Sequence, residues 1–241
     1  MLALAIDTAT EICSIALGNR EHLIDETSFV AGRSHLEMLL PALERLLARQ
    51  GLSVRQLEQI VAGTGPGTFS GLRVGVATCR ALSQALAIPI AGSSSLAALA
   101  AGAASCLIDE QQNLAAVINA RRGQVFARLY RKSKRTVFPA SAVYCLKPEE
   151  LVEVVTVAST GPVVAAGDGV IAYKKVFYGA AGVRPLPPED ERHQVRSFYH
   201  LPGEKSRMKY SAEALLKVLP AYIREPDADK TVLLRKKGTW Q

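Results

Sequence analysis

The run Gly63-Thr64-Gly65-Pro66-Gly67-Thr68-Phe69-Ser70-Gly71-Leu72-Arg73-Val74-Gly75 constrains this chain more than any other stretch. It follows a short apolar segment, Gln59 to Gly63, and opens onto the helix-like pattern of Ser70 to Ala87. A glycine-rich turn between strand and helix leaves backbone amides pointing outward, where an anion can sit. A P-loop would need Gly-Lys-Ser or Gly-Lys-Thr at its end, and neither occurs; the dinucleotide fingerprint fails on glycine spacing. A purely structural reading stays open beside the anion-binding one. In it, Gly65-Pro66-Gly67 makes a tight turn, Thr68 or Ser70 caps the helix, and Gly71 and Gly75 let another helix approach closely.

Around this run the chain reads as alternating elements. Leu2 to Ala9, Ile12 to Leu17 and Leu23 to Val30 predict three strands in an antiparallel meander. Ser34-His35-Leu36-Glu37 has capping-box spacing, and Leu36, Leu39, Leu40, Leu43, Leu46 and Leu47 make one helical stripe that Gly51 ends and Pro41 bends. Pro89 to Gly92 predicts a further strand and Ser94 to Ala104 a helix, so part of the sheet is parallel. After Cys106 to Gln112 the pattern restarts. Leu114 to Asn119 and Gln124 to Tyr130 predict a hairpin turned at Arg121-Arg122-Gly123. A helix over Pro148 to Val155, a strand over Pro162 to Ala166, the turn Gly167-Asp168-Gly169 and a short helix near Ile171 to Phe177 follow. Leu186 to Leu201 reads as loop and Ser211 to Leu219 as a last helix. The expected division is a first lobe over 1–106, carrying helices 34–50 and 68–87, and a smaller second lobe over 107–241. Helix 211–219 is expected to pack back on the first lobe, and 227–241 to be a loose tail.

With 241 residues, 49% of them apolar, the chain can bury one large core or two small ones. Met1 to Asp7 contains neither a basic leader nor a signal-like apolar run, and nothing approaches the ~20 apolar residues of a membrane span, so a cytoplasmic protein without membrane contact is expected. Cys13, Cys79, Cys106 and Cys145 lie far apart, without metal-ligand spacing, and are expected to be reduced and buried. Lys and Arg outnumber Asp and Glu by 29 to 22, with clusters at Arg128 to Arg135 and Arg235-Lys236-Lys237. Such clusters attract phosphate backbones or are a solvated hairpin and tail; charge alone does not choose.

Five pieces, Gly65 to Val76 (GPGTFSGLRVGV), Ile6 to Thr10 (IDTAT), Ser34 to Pro41, Ile88 to Ser95 (IPIAGSSS) and Asn119 to Phe126 (NARRGQVF), together give the sequence a specific likeness. It resembles the bacterial TsaB (YeaZ-type) family of subunits in tRNA threonylcarbamoyladenosine biosynthesis, which is similar to a degenerate TsaD catalytic subunit. The resemblance implies an α/β, actin-like ATPase (RNase H-like) fold of two duplicated lobes, each a mixed sheet flanked by helices. It also implies a non-catalytic scaffold that works with TsaD- and TsaE-type subunits in placing threonylcarbamoyl on adenosine 37 of ANN-decoding tRNAs. On that basis the chain would touch tRNA only through the complex, would form a homodimer when alone, and would have no intrinsic cofactor, with ATP or ADP held only in the assembled complex.

The residues bear on this expectation. The catalytic relative carries two metal-binding histidines four apart after the strand that matches Ile88 to Gly92, and here Ser95 and Leu99 take those places. A serine hydroxyl is a weak neutral ligand and a leucine has no donor, so no metal is expected. His22, His35, His193 and His200 form no i, i+4 pair, and no Gly-x-Ser-x-Gly elbow or His-Glu-x-x-His occurs, which weighs against a glycoprotease-like peptidase. Asp7, Thr8 and Thr10, with Gly167, Asp168 and Gly169, would mark a vestigial nucleotide site; an active ATPase or sugar kinase, and a simple RNA-binding module, are the competing readings. Leu36, Leu39, Leu40, Leu43 and Leu47, with Thr68, Phe69, Gly71, Leu72, Arg73, Gly75 and Val76, are the residues nominated for a four-helix partner interface.

Overall fold

The three N-terminal runs do form a meander: β1 (Ala3–Asp7), β2 (Ile12–Gly18) and β3 (Leu23–Val30) pair antiparallel. The computed structural model describes residues 1–19, 22–32, 34–104, 107, 113–133, 136–159, 161–186 and 210–223. The expected loop beyond Leu186, the tail and Cys106 lie outside those residues. β4 (Gln59–Gly65) joins β1 in parallel and β5 (Ile90–Ser94) joins β4, giving the order β3-β2-β1-β4-β5.

Two helices cover one face of this sheet, α1 (His35–Arg49) and α2 (Phe69–Leu86). Leu39, Leu43, Leu46 and Leu47 of α1 and Val76 and Cys79 of α2 pack with Leu4, Ile6, Ile15, Leu17 and Ile60 of the strands. α1 stops as its sequence predicts: Gly51 takes φ +63° and donates its amide to Ala48. Its start differs. Ser34 caps through its carbonyl, which accepts the Glu37 and Met38 amides at 3.2 and 3.0 Å, while its hydroxyl makes no cap bond. With ψ near 24° its backbone is outside the extended region from which a hydroxyl reaches the helix amides, so the expected capping box is not formed.

In the second lobe, β6 (Asn113–Arg121), β7 (Gln124–Ser133) and β8 (Thr136–Pro139) make another meander, and β10 (Val163–Ala166) and β11 (Val183–Pro185) extend it in parallel from β6. The short β9 (Tyr144–Leu146) pairs with β7. Read as β8-β7-β6-β10-β11, this sheet repeats the order and the antiparallel-then-parallel sense of the first. The duplication is written in topology, and each lobe is a mixed sheet flanked by helices.

Helix α3 (Ser95–Ala103) lies between the sheets. On one side Ala98 meets Ala5 and Ala16; on the other Leu96, Leu99, Ala100 and Ala103 join the core over the second sheet with Leu114, Ala116 and Ile118. Its alanines make it thin enough to serve both. α4 (Pro148–Ala158), α5 (Asp168–Ala172) and α6 (Lys174–Tyr178) cover the far face through Leu151, Val155, Val170 and Phe177. The stretch read as a Gly167-Asp168-Gly169 turn is therefore the start of α5. After residue 209 the chain returns to the first lobe, where α7 (Ala212–Lys217) places Leu215 and Val218 in its core. Among the described residues no helix is long and apolar enough to cross a membrane.

Candidate functional site

The glycine run meets the turn after β1, and the contact explains most of its composition. Thr68 donates its amide to the Ala9 carbonyl at 2.7 Å, and Thr8 donates its hydroxyl to the Gly71 carbonyl at 2.7 Å. A Cβ on Gly67 would lie 2.2 Å from the Ala9 oxygen, and Cβ atoms on Gly71 and Gly75 would lie 2.1 Å from the carbonyl and hydroxyl oxygens of Thr8. The glycines thus admit the β1–β2 turn, not another helix as their spacing suggested. Thr68 stands at the cap position of α2 without a side-chain cap bond, and Ser70 lies inside the helix. Of the donors near the start of α2, the Thr68 amide and the Thr8 hydroxyl have partners within the chain.

Asp7 stands at the end of β1 over Gly63, where a Cβ would come within 2.5 Å of its Cγ. Its Oδ1 accepts the Ala9 amide at 2.8 Å. Enclosure by protein pushes its carboxyl above the usual range, while hydrogen bonds from Ala9, Ser95 and Thr8 pull it back. Ser95, buried at the N-terminus of α3, also accepts the Gly65 amide at 3.2 Å. Thr10 is buried; its hydroxyl accepts the Ile12 amide at 3.1 Å and its carbonyl pairs with His35 Nε2 at 3.0 Å. With that nitrogen held by a backbone carbonyl, His35 is a structural group, and a His-activated serine finds no support in the described residues.

In the second lobe, Asp168 Oδ1 accepts the Asn119 amide at 3.0 Å. Burial lifts Asp168 to about 6, against the pull of the Asn119 amide and the Arg121 charge. Gly167, at φ +122°, lies against the Val117 carbonyl and Leu99 with no room for a Cβ, and Gly169 lies against Val117 in the same way. The six residues read as a vestigial nucleotide site therefore sit in two places, Asp7, Thr8 and Thr10 at the end of β1 and the turn after it, and Gly167, Asp168 and Gly169 at the start of α5. Leu99, 3% exposed, is core. Among the described residues no group of three or more His, Cys, Asp or Glu is arranged to hold a metal.

The nominated interface divides by burial. Leu39, Leu43, Leu47, Leu72, Val76, Gly71 and Gly75 are interior, whereas Leu36 and Leu40 are 71% and 48% exposed. The α-helical stripe is wide enough for both because its sheet-facing and outer edges lie on different sides of α1. Thr68 and Phe69 are half-buried and Arg73 is exposed. Phe69 lies under Tyr222 with ring centroids 4.9 Å apart, and the Arg73 guanidinium sits 3.8 Å over the Phe69 ring while its Nε donates to the Tyr222 hydroxyl at 3.3 Å. No sequence spacing links position 222 to 69, so this cover escapes a linear reading. The basic stretch is likewise engaged: Arg128 donates to the Ser141 carbonyl and Lys132 to the Leu107 carbonyl. Cys13 and Cys79 are free, buried thiols, while Cys145, expected to be buried, is half-buried.

A family model described as "TsaD: tRNA N6-adenosine threonylcarbamoyltransferase" matches residues 29–185. Curated relatives include "tRNA threonylcarbamoyladenosine biosynthesis protein TsaB" from Haemophilus influenzae, 34% identical over 56% of this chain and 56% of that protein. The protein of the same name from Escherichia coli is 32% identical over 62% of this chain and 64% of that protein. The matched stretch thus spans somewhat over half the length of these relatives. Among solved structures, "YeaZ from Pseudomonas aeruginosa" superimposes with a TM-score of 0.71 at 27% identity, over 92% of this chain and 99% of that one.

Proposed function

The chain belongs to the family described as TsaD, tRNA N6-adenosine threonylcarbamoyltransferase, and is a TsaB/YeaZ-type member of it; on that premise we propose that it takes part in tRNA threonylcarbamoyladenosine biosynthesis as a non-catalytic scaffold. Its partners are a TsaD-type catalytic subunit and a TsaE-type ATPase, and the modified residue is adenosine 37 of ANN-decoding tRNAs. tRNA is reached only through the complex, and ATP or ADP is held only there.

The observation that carries this reading is the state of Ser95 and Leu99. Where the catalytic relative is expected to place two imidazoles, the Ser95 hydroxyl oxygen accepts the Gly65 amide and Leu99 is buried in the interlobe core. Neither can hold a divalent ion that positions an acyl-adenylate.

The outer edge of α1 beside α2 supplies the docking face. Leu36 and Leu40 are the exposed leucines of the stripe, and Ser70, Arg73, Ala77 and Ala81 are among the exposed residues of the adjoining helix. Small residues next to two leucines allow close approach of two partner helices, and the same face pairs two copies when the catalytic subunit is absent.

Reconstitution tests the reading: purified subunits, tRNA, threonine, bicarbonate and ATP, with and without this chain. Modification that depends on its addition supports the scaffold role. Equal modification without it sinks the assignment, and acyl transfer by this chain alone would show it to be an enzyme.

A further inference from the structure

We propose that Glu11 and Arg121 form a clasp between the lobes, which sets their relative position by the chain's own charges without a bound ligand. The two residues stand on equivalent ground. β1 and β6 hold the same place in their sheets. At the end of β1 the Asp7 carboxylate accepts the amide two residues on, Ala9, at 2.8 Å; at the end of β6 the Asn119 side-chain oxygen accepts the amide two residues on, Arg121, at 2.9 Å. The same Asx turn is thus built twice, and the ion pair joins one copy to the other, with Arg121 Nη2 2.5 Å from Glu11 Oε1.

Both arms of the clasp are held from behind. The Glu11 carbonyl accepts the Ala31 and Gly32 amides at 2.8 and 3.2 Å, which pins its turn to the end of β3. On the other side, the Asn119 amide is fixed by Asp168 and the adjoining Gly167 is wedged against Val117 and Leu99. The register of β6 on β7 slips between Asn119 and Arg121, and Arg121 takes φ +63°. That conformation favours glycine or asparagine. An arginine is held there in spite of its backbone, and what the position gains is a guanidinium that reaches the first lobe.

The pair is half exposed, with side chains 49% and 55% accessible, so it contributes little to global stability and is open to screening by salt. Its effect falls on the setting of the lobes, which are also joined through α3 and the returning α7. This inference does not depend on the role in tRNA modification, and its test reads no modification activity.

Amide hydrogen exchange on the full chain decides it. The chains compared are wild type, Glu11→Gln, Arg121→Asn, the double variant, and the charge swap Glu11→Arg with Arg121→Glu. Asparagine suits the positive φ of position 121, so any loosening there comes from the lost charge and not from backbone strain. Exchange at the Ala9, Thr68, Asn119 and Arg121 amides should rise roughly threefold or more in each single variant. The double variant should exchange no faster than the singles, the swap should return towards wild type, and salt near ~1 M should loosen the wild-type chain alike. Unchanged exchange in both single variants, or increases that add in the double, overturns the proposal. Because Glu11→Gln is isosteric and the salt series uses the unaltered chain, a poorly folded swap does not spare it.

Discussion

The hydroxyl of Thr8 donates to the carbonyl of Gly71 at 2.7 Å, and the same oxygen occupies the space a methyl group on Gly75 would need. A residue at the end of the first strand and a glycine one turn further along α2 are therefore a single packing unit. Gly71→Ala sets a methyl against the Thr8 backbone carbonyl, which cannot rotate away, and should cost ~3 kcal/mol or more in chemical denaturation. Gly75→Ala meets only the Thr8 side chain. Combined with Thr8→Ala it should recover part of its loss, with a coupling above ~1 kcal/mol in a double-mutant cycle. Additive losses would show that the two positions are independent.

Docking should separate from folding along α1. Leu36→Asp with Leu40→Asp changes exposed side chains, so circular dichroism and melting should stay close to wild type while co-elution with the catalytic subunit and self-association are lost. Leu39→Asp with Leu43→Asp buries two charges in the first core and should unfold the chain outright. If the outer pair leaves both associations intact, the face is misassigned.

Asp168 gives the protein a pH signature. Burial raises its carboxyl from 3.8 to about 6 in the fold. Between those values the unfolded chain holds fewer protons than the folded one, so stability falls as pH rises through the window and stays lower above it. Asp168→Asn keeps an oxygen for the Asn119 amide and removes the buried charge. It should stabilise the protein at pH 7 by on the order of 1–3 kcal/mol, an advantage that fades towards pH 4. A variant no more stable than wild type at pH 7 would contradict the shift.

Nucleotide should find the isolated chain a poor host. The Thr68 amide and the Thr8 hydroxyl, two donors at the start of α2, are held by Ala9 and Gly71. Titration calorimetry with magnesium ATP is expected to give no saturable heat, and a dissociation constant below about 0.1 mM would restore the ATPase reading.

Local periodicity carried the sequence reading a long way. Apolar runs marked the N-terminal meander, three-and-four spacing marked α1, and Gly51 marked a helix end at its positive φ. Those signals are local because hydrogen bonds within a helix, and side-chain direction along a strand, depend only on near neighbours. Strands such as β9 and β11, three residues each, are too short to show a period and exist by pairing with β7 and β10. Likewise Ser34 had the right neighbours for a capping box, and its backbone angle, set by the chain entering α1, prevented it.

The sequence by itself determined most of the elements and the family likeness, since each depends on residue type at a position. Only the tertiary structure decided what the glycines between Gly63 and Gly75 are for, which leucines of α1 face outward, and that Tyr222 covers Phe69. It alone brought Glu11 to Arg121. Contacts between residues tens to hundreds of positions apart leave no periodic trace in a single chain. Packing of the two sheets about α3 selects them, because close approach of backbone there admits only certain neighbours.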